Sequence, residues 1–396
     1  MSERSMIIEP NLGEGHAAEI FGDYEYGAPL PDSKKFLPWH RPRKQFVRDY
    51  QWFEQIKKLY IDSGSNQKQL TYLGLPGVDL LDLRYFHSAI CLEHEIKLKF
   101  LGFNSAASPS NDSQTEMAIS LDEVTKLEHI DPRSEVIWDD FCQIGNTNSN
   151  AWKKACAAGP FNVINLDLCD GFGLQPPNCM EDNHYNALNQ LLTLQSRSAQ
   201  PWLLFLTTRA GTNHVHSDVL ERLKSHYSKS LHECLSFKEV SNDSFSIQDN
   251  ISLEEALKTG EGLMSVFITG ICNWLLNIAT SQRPPTKVEV KSVIGYKVNS
   301  KSEGSDLISV ALKFIPVFDA NTDVLGLATN ARSSLDICDL STKAIRRVAA
   351  IKDADAILEA DEAIAKKMTD DMGRLLQEAR YDMNAYLDWL KQDNVD

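Results

Sequence analysis

A chain of 396 residues with 42% hydrophobic and 24% charged residues has enough apolar mass for a sizeable core, which excludes a wholly disordered chain. Forty basic against 55 acidic residues leave a net charge of −15, so whole-molecule attraction to nucleic acid or anionic lipid is excluded and any such contact must be local. The opening MSERSMIIEP has no basic segment leading into an apolar run, the most apolar stretch (Leu263 to Ala279) is broken by Asn273 and Asn277, and no two of the eight cysteines are three apart; a cytoplasmic chain with reduced core thiols, no membrane span and no structural metal is expected.

In chain order, the first thirty-odd residues are rich in Gly and Pro without apolar periodicity and read as an irregular arm. From Lys44, the apolar residues Phe46, Val47, Tyr50, Phe53, Ile56 and Leu59 recur at three and four, which predicts an amphipathic helix. Gln69 to Leu75 reads as a buried strand broken by Pro76-Gly77 before a helical pattern from Val78 to about Glu93, and Glu95 to Phe103 as a second strand parallel to the first. The polar tract Ser105 to Glu116 reads as a loop, Leu121 to Leu127 as a short helix and Glu135 to Trp138 as a short strand, followed by a helix around Trp152. Phe161 to Leu168 is a fourth strand, His184 to Gln195 a helix, and the fully apolar Pro201 to Ala210 a strand of the kind that sits at a sheet centre. Residues 213–280 read as helical, with a loop near Val240 to Asn250 and a capping box at Ser252 and Glu255. Two apolar alternating segments around NSKSEGSD then mark an antiparallel hairpin, and an acidic helical tail begins at Ser334.

This order of elements resembles the class I S-adenosylmethionine-dependent methyltransferase fold, in which the last two strands form a reversed pair at the sheet edge. The resemblance implies an α/β, Rossmann-like, mostly parallel seven-stranded sheet with a C-terminal antiparallel hairpin and helices on both faces. The domain organisation expected is an N-terminal arm and helix over residues 1–68, the methyltransferase-type domain over 69–320 and a helical extension over 321–396. It also implies S-adenosylmethionine as cofactor, with Gly74, Gly77 and Asn104 at its amino acid and ribose parts and Asp139 and Phe141 at the adenine. Asp167 and Asp170, closing the fourth strand, would face the methyl acceptor as orienting groups or general base. Asn104 stands where the family carries a carboxylate, and two glycines stand where it usually has three. The Asn or Asp, double proline and aromatic pattern of amino-methyltransferases is absent, so base amino groups are not the favoured acceptors.

Independently of the resemblance, Asp79 and Asp82 in the first turns after the glycine loop would repel a pyrophosphate but tolerate a sulfonium, which argues against a dinucleotide oxidoreductase. The structural alternatives are that Asp170-Gly171 makes a turn, Asp167 caps a neighbouring amide and Asp139-Asp140 caps a helix. Arg41, Arg43, Lys44 and Arg48, interleaved with aromatics, form a positive cluster that would contact nucleic acid or another phosphate ligand, or else solvate an arm whose aromatics pack inward. The rival to an enzyme is a catalytically degenerate subunit that holds a protein partner through its acidic C-terminal helices and local nucleic acid through its basic arm. The layout is also similar to methyltransferase-like proteins of multi-gene bacterial systems, antiviral ones included.

Overall fold

The computed structural model describes residues 34–61, 67–105, 111–176, 183–298, 304–318 and 335–392. The chain divides into an N-terminal unit, Met1–Lys35, of which only Lys34 and Lys35 are described, and a main unit, Phe36–Asp396. The main unit is a Rossmann-like α/β body.

Its sheet is built from β1 (Gln69–Gly74), β2 (Lys97–Phe103), β3 (Glu135–Ile137), β4 (Val163–Asp167), β5 (Trp202–Arg209), β6 (Thr286–Tyr296), β7 (Leu307–Pro316) and the two-residue β8 (Lys352–Asp353). The strand order is 3-2-1-4-5-7-6-8. β1 to β5 are parallel, β7 runs antiparallel to both β5 and β6, and β8 adds a parallel pair at Ile294 and Gly295. The reversed β6–β7 pair is therefore where the order of elements placed it. The eighth strand was not expected; two residues carry no periodicity to read.

Local chemistry accounts for most of the helix limits. Residues 42–61 form the first helix (α1), entered through Pro42 and continuing as a π segment at Arg48–Phe53. The π turn slips the phase of the helix, so that Arg48, Gln51 and Trp52 are all buried. α2 (residues 81–92) follows Leu80, whose φ of 52° makes the left-handed turn out of the β1 loop. Ser149 Oγ accepts from Trp152 N (3.0 Å) to start α4 (Asn150–Ala158), and Asn183 caps α5 (His184–Gln195).

Two local expectations are corrected. The helix expected at Leu121 to Leu127 begins ten residues earlier: α3 is Asn111–Thr125, in a tract read as loop because the buried side chains among those described in it are few, Met117, Ser120 and Val124. The capping pair at 252 is Asp249 with Ser252, since Asp249 Oδ1 accepts from Ser252 N (2.8 Å), and the helices α7 (Leu235–Phe245) and α8 (Asn250–Ala256) occupy most of the expected loop. α6 (Ser217–Glu233) precedes them.

Helices on the two faces give two large apolar layers, one holding Ile164, Leu204, Phe267 and Leu275, the other Trp52, Phe86, Phe100 and Phe205. Each such fully buried side chain contributes about 1.5–3 kcal/mol. α9 (Gly260–Ser281) is the helix among the described residues that is long and apolar enough to cross a membrane, and 72% of its most apolar window is buried inside the protein. It is a core helix, as its interrupting asparagines suggested.

α10 (Ile337–Ala349) packs on α7 and is joined to it by a disulfide between Cys234 and Cys338, Cα–Cα 5.5 Å. This corrects the expectation that all eight thiols are reduced: residues 104 apart in sequence meet only through the packing of the two helices. Cys179 lies outside the described residues. α11 (Ala354–Ala360), α12 (Glu362–Glu378) and α13 (Met383–Gln392) then return to α1 and α2, where Phe36, Tyr381, Tyr386 and Trp389 form an aromatic cluster.

Candidate functional site

The carboxyl ends of the parallel strands open into a cleft of about 630 Å³, within the ~300–1,000 Å³ that small-molecule sites span. Its floor is the turn from Leu75 to Asp82, together with Phe103-Asn104 after β2, Asp140-Phe141 after β3 and Asp167 to Gly171 after β4. Leu37 to Trp39, Lys44 and Arg48 close it from the N-terminal side, Tyr296 to Val298 from the hairpin, and Tyr381 from the C-terminal helices.

On the β1 to β3 side, Gly77 borders the cleft, and a Cβ built there would meet nothing within 4 Å. Gly74 does not line it. A Cβ at Gly74 would lie 2.5 Å from the ring of Tyr72, so this glycine leaves room for that ring inside the sheet. Gly102 was overlooked: a Cβ there would be 2.8 Å from Pro76 Cγ, so its bare backbone lets the loop lie close over β2. Asn104 is buried at the cleft; its Nδ2 donates to Pro76 O (2.8 Å), which ties the two strand ends together, and its Oδ1 has no partner.

After β3 two acids stand side by side, and one of them lines the cleft. Asp139 Oδ1 accepts from Asp140 N (2.9 Å) and Asp139 is not among the lining residues, whereas Asp140 is, its Oδ1 accepting from Cys142 N (2.7 Å). The short 3-10 turn at Phe141–Gly145 turns the chain here and hands the rim to the second acid. Phe141 lines the cleft as expected. His184, read from sequence as a mere helix start, also lines it, its ring stacked on Phe141 (6.4 Å) and Phe172 (5.8 Å) and its backbone N donating to Gln175 Oε1 (2.8 Å). Burial pushes its imidazole below the usual histidine range, with Asp140 and Asp170 partly opposing.

On the β4 side both expected acids line the cleft. Asp170 is exposed and makes no hydrogen bond or ion pair among the described residues. Asp167 receives a hydrogen bond from Lys44 Nζ (2.5 Å), and Lys44 also donates to Tyr296 OH (3.2 Å) and lies 4.7 Å from the Trp52 ring centroid. Burial alone would lower the Lys44 pKa, but Asp167 and Tyr296 reverse this and hold it above the usual lysine range.

The basic cluster faces inward. Arg48 Nε pairs with Asp82 (2.6 Å), Arg43 pairs with Asp355 (3.0 Å) and donates to Lys297 O (2.6 Å), and the Arg41 guanidinium stacks on Trp389 (3.9 Å). Arg41, Lys44 and Arg48 are all buried and Arg43 is half-buried, and Lys44 and Arg48 line the cleft. Because carboxylates supplied by α2, β4 and α11 wait beneath α1, cations that cluster in sequence are drawn to separate partners inside. Gln51 adds a neutral clamp: Nε2 donates to Ser309 O (3.0 Å) and Ser292 Oγ (3.1 Å), while Ser309 Oγ donates to Gln51 Oε1 (2.6 Å). Tyr381 OH donates to Asp79 Oδ2 (2.8 Å), bringing the C-terminal helices onto the loop after β1.

The PP_RS20740-like family profile matches residues 33–391. No curated protein matches the chain. Among solved structures, one assigned to class I S-adenosylmethionine-dependent methyltransferases, from Listeria monocytogenes, is similar at 11% identity and a TM-score of 0.36, over 80% of this chain and 73% of that one. A spermidine synthase assignment from Corynebacterium glutamicum ATCC 13032 is similar at 15% identity and a TM-score of 0.27, over 52% of this chain and 61% of that one.

Proposed function

We propose that this chain, which belongs to the PP_RS20740-like family, is a methyltransferase that takes S-adenosylmethionine as its methyl donor at the carboxyl edge of the sheet. The observation that carries this reading is Asn104. With its amide nitrogen committed to Pro76 O, its Oδ1 is a buried acceptor without a partner, in a residue that lines the cleft. Leaving such a group unsatisfied costs about 1–3 kcal/mol, and a ribose hydroxyl would satisfy it by donating. An amide thus serves where the related fold uses a carboxylate.

Gly77 leaves open space for the amino acid part, and Phe141 with His184 offers an aromatic wall for the adenine, with Asp140 at its edge. The donor supplies an electrophilic methyl group on a positive sulfur. The chain then has to hold an acceptor in line, which positioning alone accelerates greatly, and receive the acceptor's proton, for which Asp167 and Asp170 are the available carboxylates.

Calorimetric titration with S-adenosylhomocysteine tests the reading. Micromolar affinity, about −8 kcal/mol, weakened in Asn104→Ala, is expected; a folded protein that gives no heat would sink it. That outcome would leave the second reading, a scaffold without transfer, which is favoured by the closure of the β4 side through Lys44 and Arg48 and in which the acidic C-terminal helical extension, 321–396, would meet a protein partner.

A further inference from the structure

Neither cysteine of the Cys234–Cys338 disulfide lines the cleft, and the methyl-donor reading makes no use of them. The two sulfurs stand in different surroundings. Cys234 is 4% exposed, whereas Cys338 is half-buried, and their chain neighbours Leu235 and Ile337 are 79% and 46% exposed. The pair therefore sits just under the surface, with Cys338 the sulfur that a small molecule reaches.

The electrostatics differ as well. Cys234 is the N-cap residue of α7, where a side chain ordinarily accepts from first-turn amides, but it makes no capping hydrogen bond and no acid stands in that turn. At the start of α10 the same role is already filled: Asp336 Oδ1 accepts from Asp339 N (3.0 Å), and Asp339, next to Cys338 in sequence, adds a second carboxylate. Negative charge on sulfur is better placed at 234 than at 338. Cys234 also ends α6, whose carbonyl end opposes this, but the polar atoms within reach of its sulfur belong to α7 and α10: Ser236 Oγ at 3.4 Å, Thr342 Oγ1 at 3.5 Å and Cys338 O at 3.6 Å. Thr342 gives its proton to Cys338 O (2.7 Å). Ser236 Oγ, which also lies 3.5 Å from Cys338 Sγ, is then the hydroxyl placed to donate to a charged sulfur.

These asymmetries point the same way. A thiolate attacks one sulfur of a disulfide and expels the other, and it does so faster when the departing thiolate is the better stabilised. Here the reachable sulfur is the one whose partner leaves well.

We propose that Cys338 is a modification site for low-molecular-weight thiols, and that Cys234 and Cys338 form a reversible thiol–disulfide couple. The incoming thiolate bonds to Cys338 Sγ as the bond between the two protein sulfurs breaks, and that electron pair goes to Cys234 Sγ at the start of α7. A second thiolate attacks the small-molecule sulfur of the mixed disulfide and releases the Cys338 thiolate. The two protein thiolates take up the two protons that the small thiols gave up, so the protein disulfide is reduced by two electrons while two small thiols become one small disulfide. An excess of that small disulfide drives the reverse. Because α10 belongs to the C-terminal extension that also brings Asp355 to Arg43 and Tyr381 to the cleft, the couple decides whether the start of that extension is held to α7 covalently or by packing alone.

The test uses the full folded chain without denaturant. It is exposed to glutathione and then to glutathione disulfide, quenched with acid at intervals and alkylated, and its cysteine peptides are mapped by mass spectrometry while circular dichroism follows the fold. Opening of the disulfide with the circular dichroism unchanged, a glutathione adduct on Cys338 that precedes the dithiol, and closure by glutathione disulfide are expected. Ser236→Ala should slow the opening about threefold. In Cys234→Ser the adduct on Cys338 should persist, since no neighbouring thiol displaces it; in Cys338→Ser, Cys234 should stay unmodified while the exposed Cys169 reacts. A disulfide that opens only in urea, an adduct on Cys234, a dithiol that glutathione disulfide fails to close, or an unchanged rate in Ser236→Ala would each overturn the assignment. The wild-type measurements decide it even where a cysteine variant does not fold, and none of these outcomes bears on the methyl-donor reading.

Discussion

The side of the cleft formed by β1 to β3 is made from short runs of consecutive residues, each the loop that closes one strand: 75–82, 103–105, 140–141. The opposite side is assembled across the chain. Lys44 meets Asp167 at a separation of 123 residues and Tyr296 at 252, and Arg48 reaches Met372 at 324. The first kind of wall takes its course from strand geometry, with Asp79 and Asp82 within it tied to Tyr381 and Arg48. The second exists only when the hairpin, α1 and the C-terminal helices are all in place, so its stability and its chemistry are coupled.

The largest effect that would sharpen this contrast is on the assembled side. Arg48→Met strands Asp82 without its buried partner and is expected to lower unfolding free energy by about 3–5 kcal/mol, read as a drop in the urea midpoint; Arg48→Met with Asp82→Leu should recover most of it. Equal losses in the single and double variants would mean that the pair itself is not what holds α1 down. On the local side, Asn104→Ala should cost about 1–3 kcal/mol of S-adenosylhomocysteine binding with a smaller effect on the urea midpoint; a loss of folding instead would show that the bond to Pro76 O is its main role.

A smaller effect follows from His184. Burial holds its pKa below the ordinary 6.5, with the nearby acids opposing, so the folded state favours the neutral ring. Its contribution is complete above that ordinary value and is lost as pH falls through the lowered one. Stability and S-adenosylhomocysteine affinity should therefore decline on acidification below pH 6.5, and the decline should flatten in His184→Asn; an identical profile in the variant would remove His184 from the account. The smallest expected change is remote from both walls: Lys258→Ala opens only an exposed pair with Glu255 and should stay within about 0.5 kcal/mol.

The same contrast explains what could be read from sequence. β1, β2, β4 and β5 are compact apolar runs bounded by turn residues, and α5 was placed at its observed limits, His184–Gln195. The loops that end those strands came with them, so Gly77, Asn104, Phe141, Asp167 and Asp170 were found at the cleft. That Asp140 and not its neighbour Asp139 lines the cleft was not legible, since adjacent acids carry no apolar period to choose between them. Partners across the fold were not legible. Nothing in a run of cations says that Lys44 points to Asp167 and Arg48 to Asp82, and the π turn that buries Arg48 and Trp52 together breaks the spacing by which a helix face is read. The Cys234–Cys338 link is equally a product of tertiary packing.

The hydrogen bond from Tyr381 to Asp79 has a consequence for how the protein comes into being. During synthesis the loop after β1 leaves the ribosome 302 residues before the tyrosine that braces it, roughly 15–60 s at ~5–20 residues per second. For that interval a nascent chain carries the β1 loop without Tyr381 over it, so the cleft has one wall open until the segment between α12 and α13 has been made.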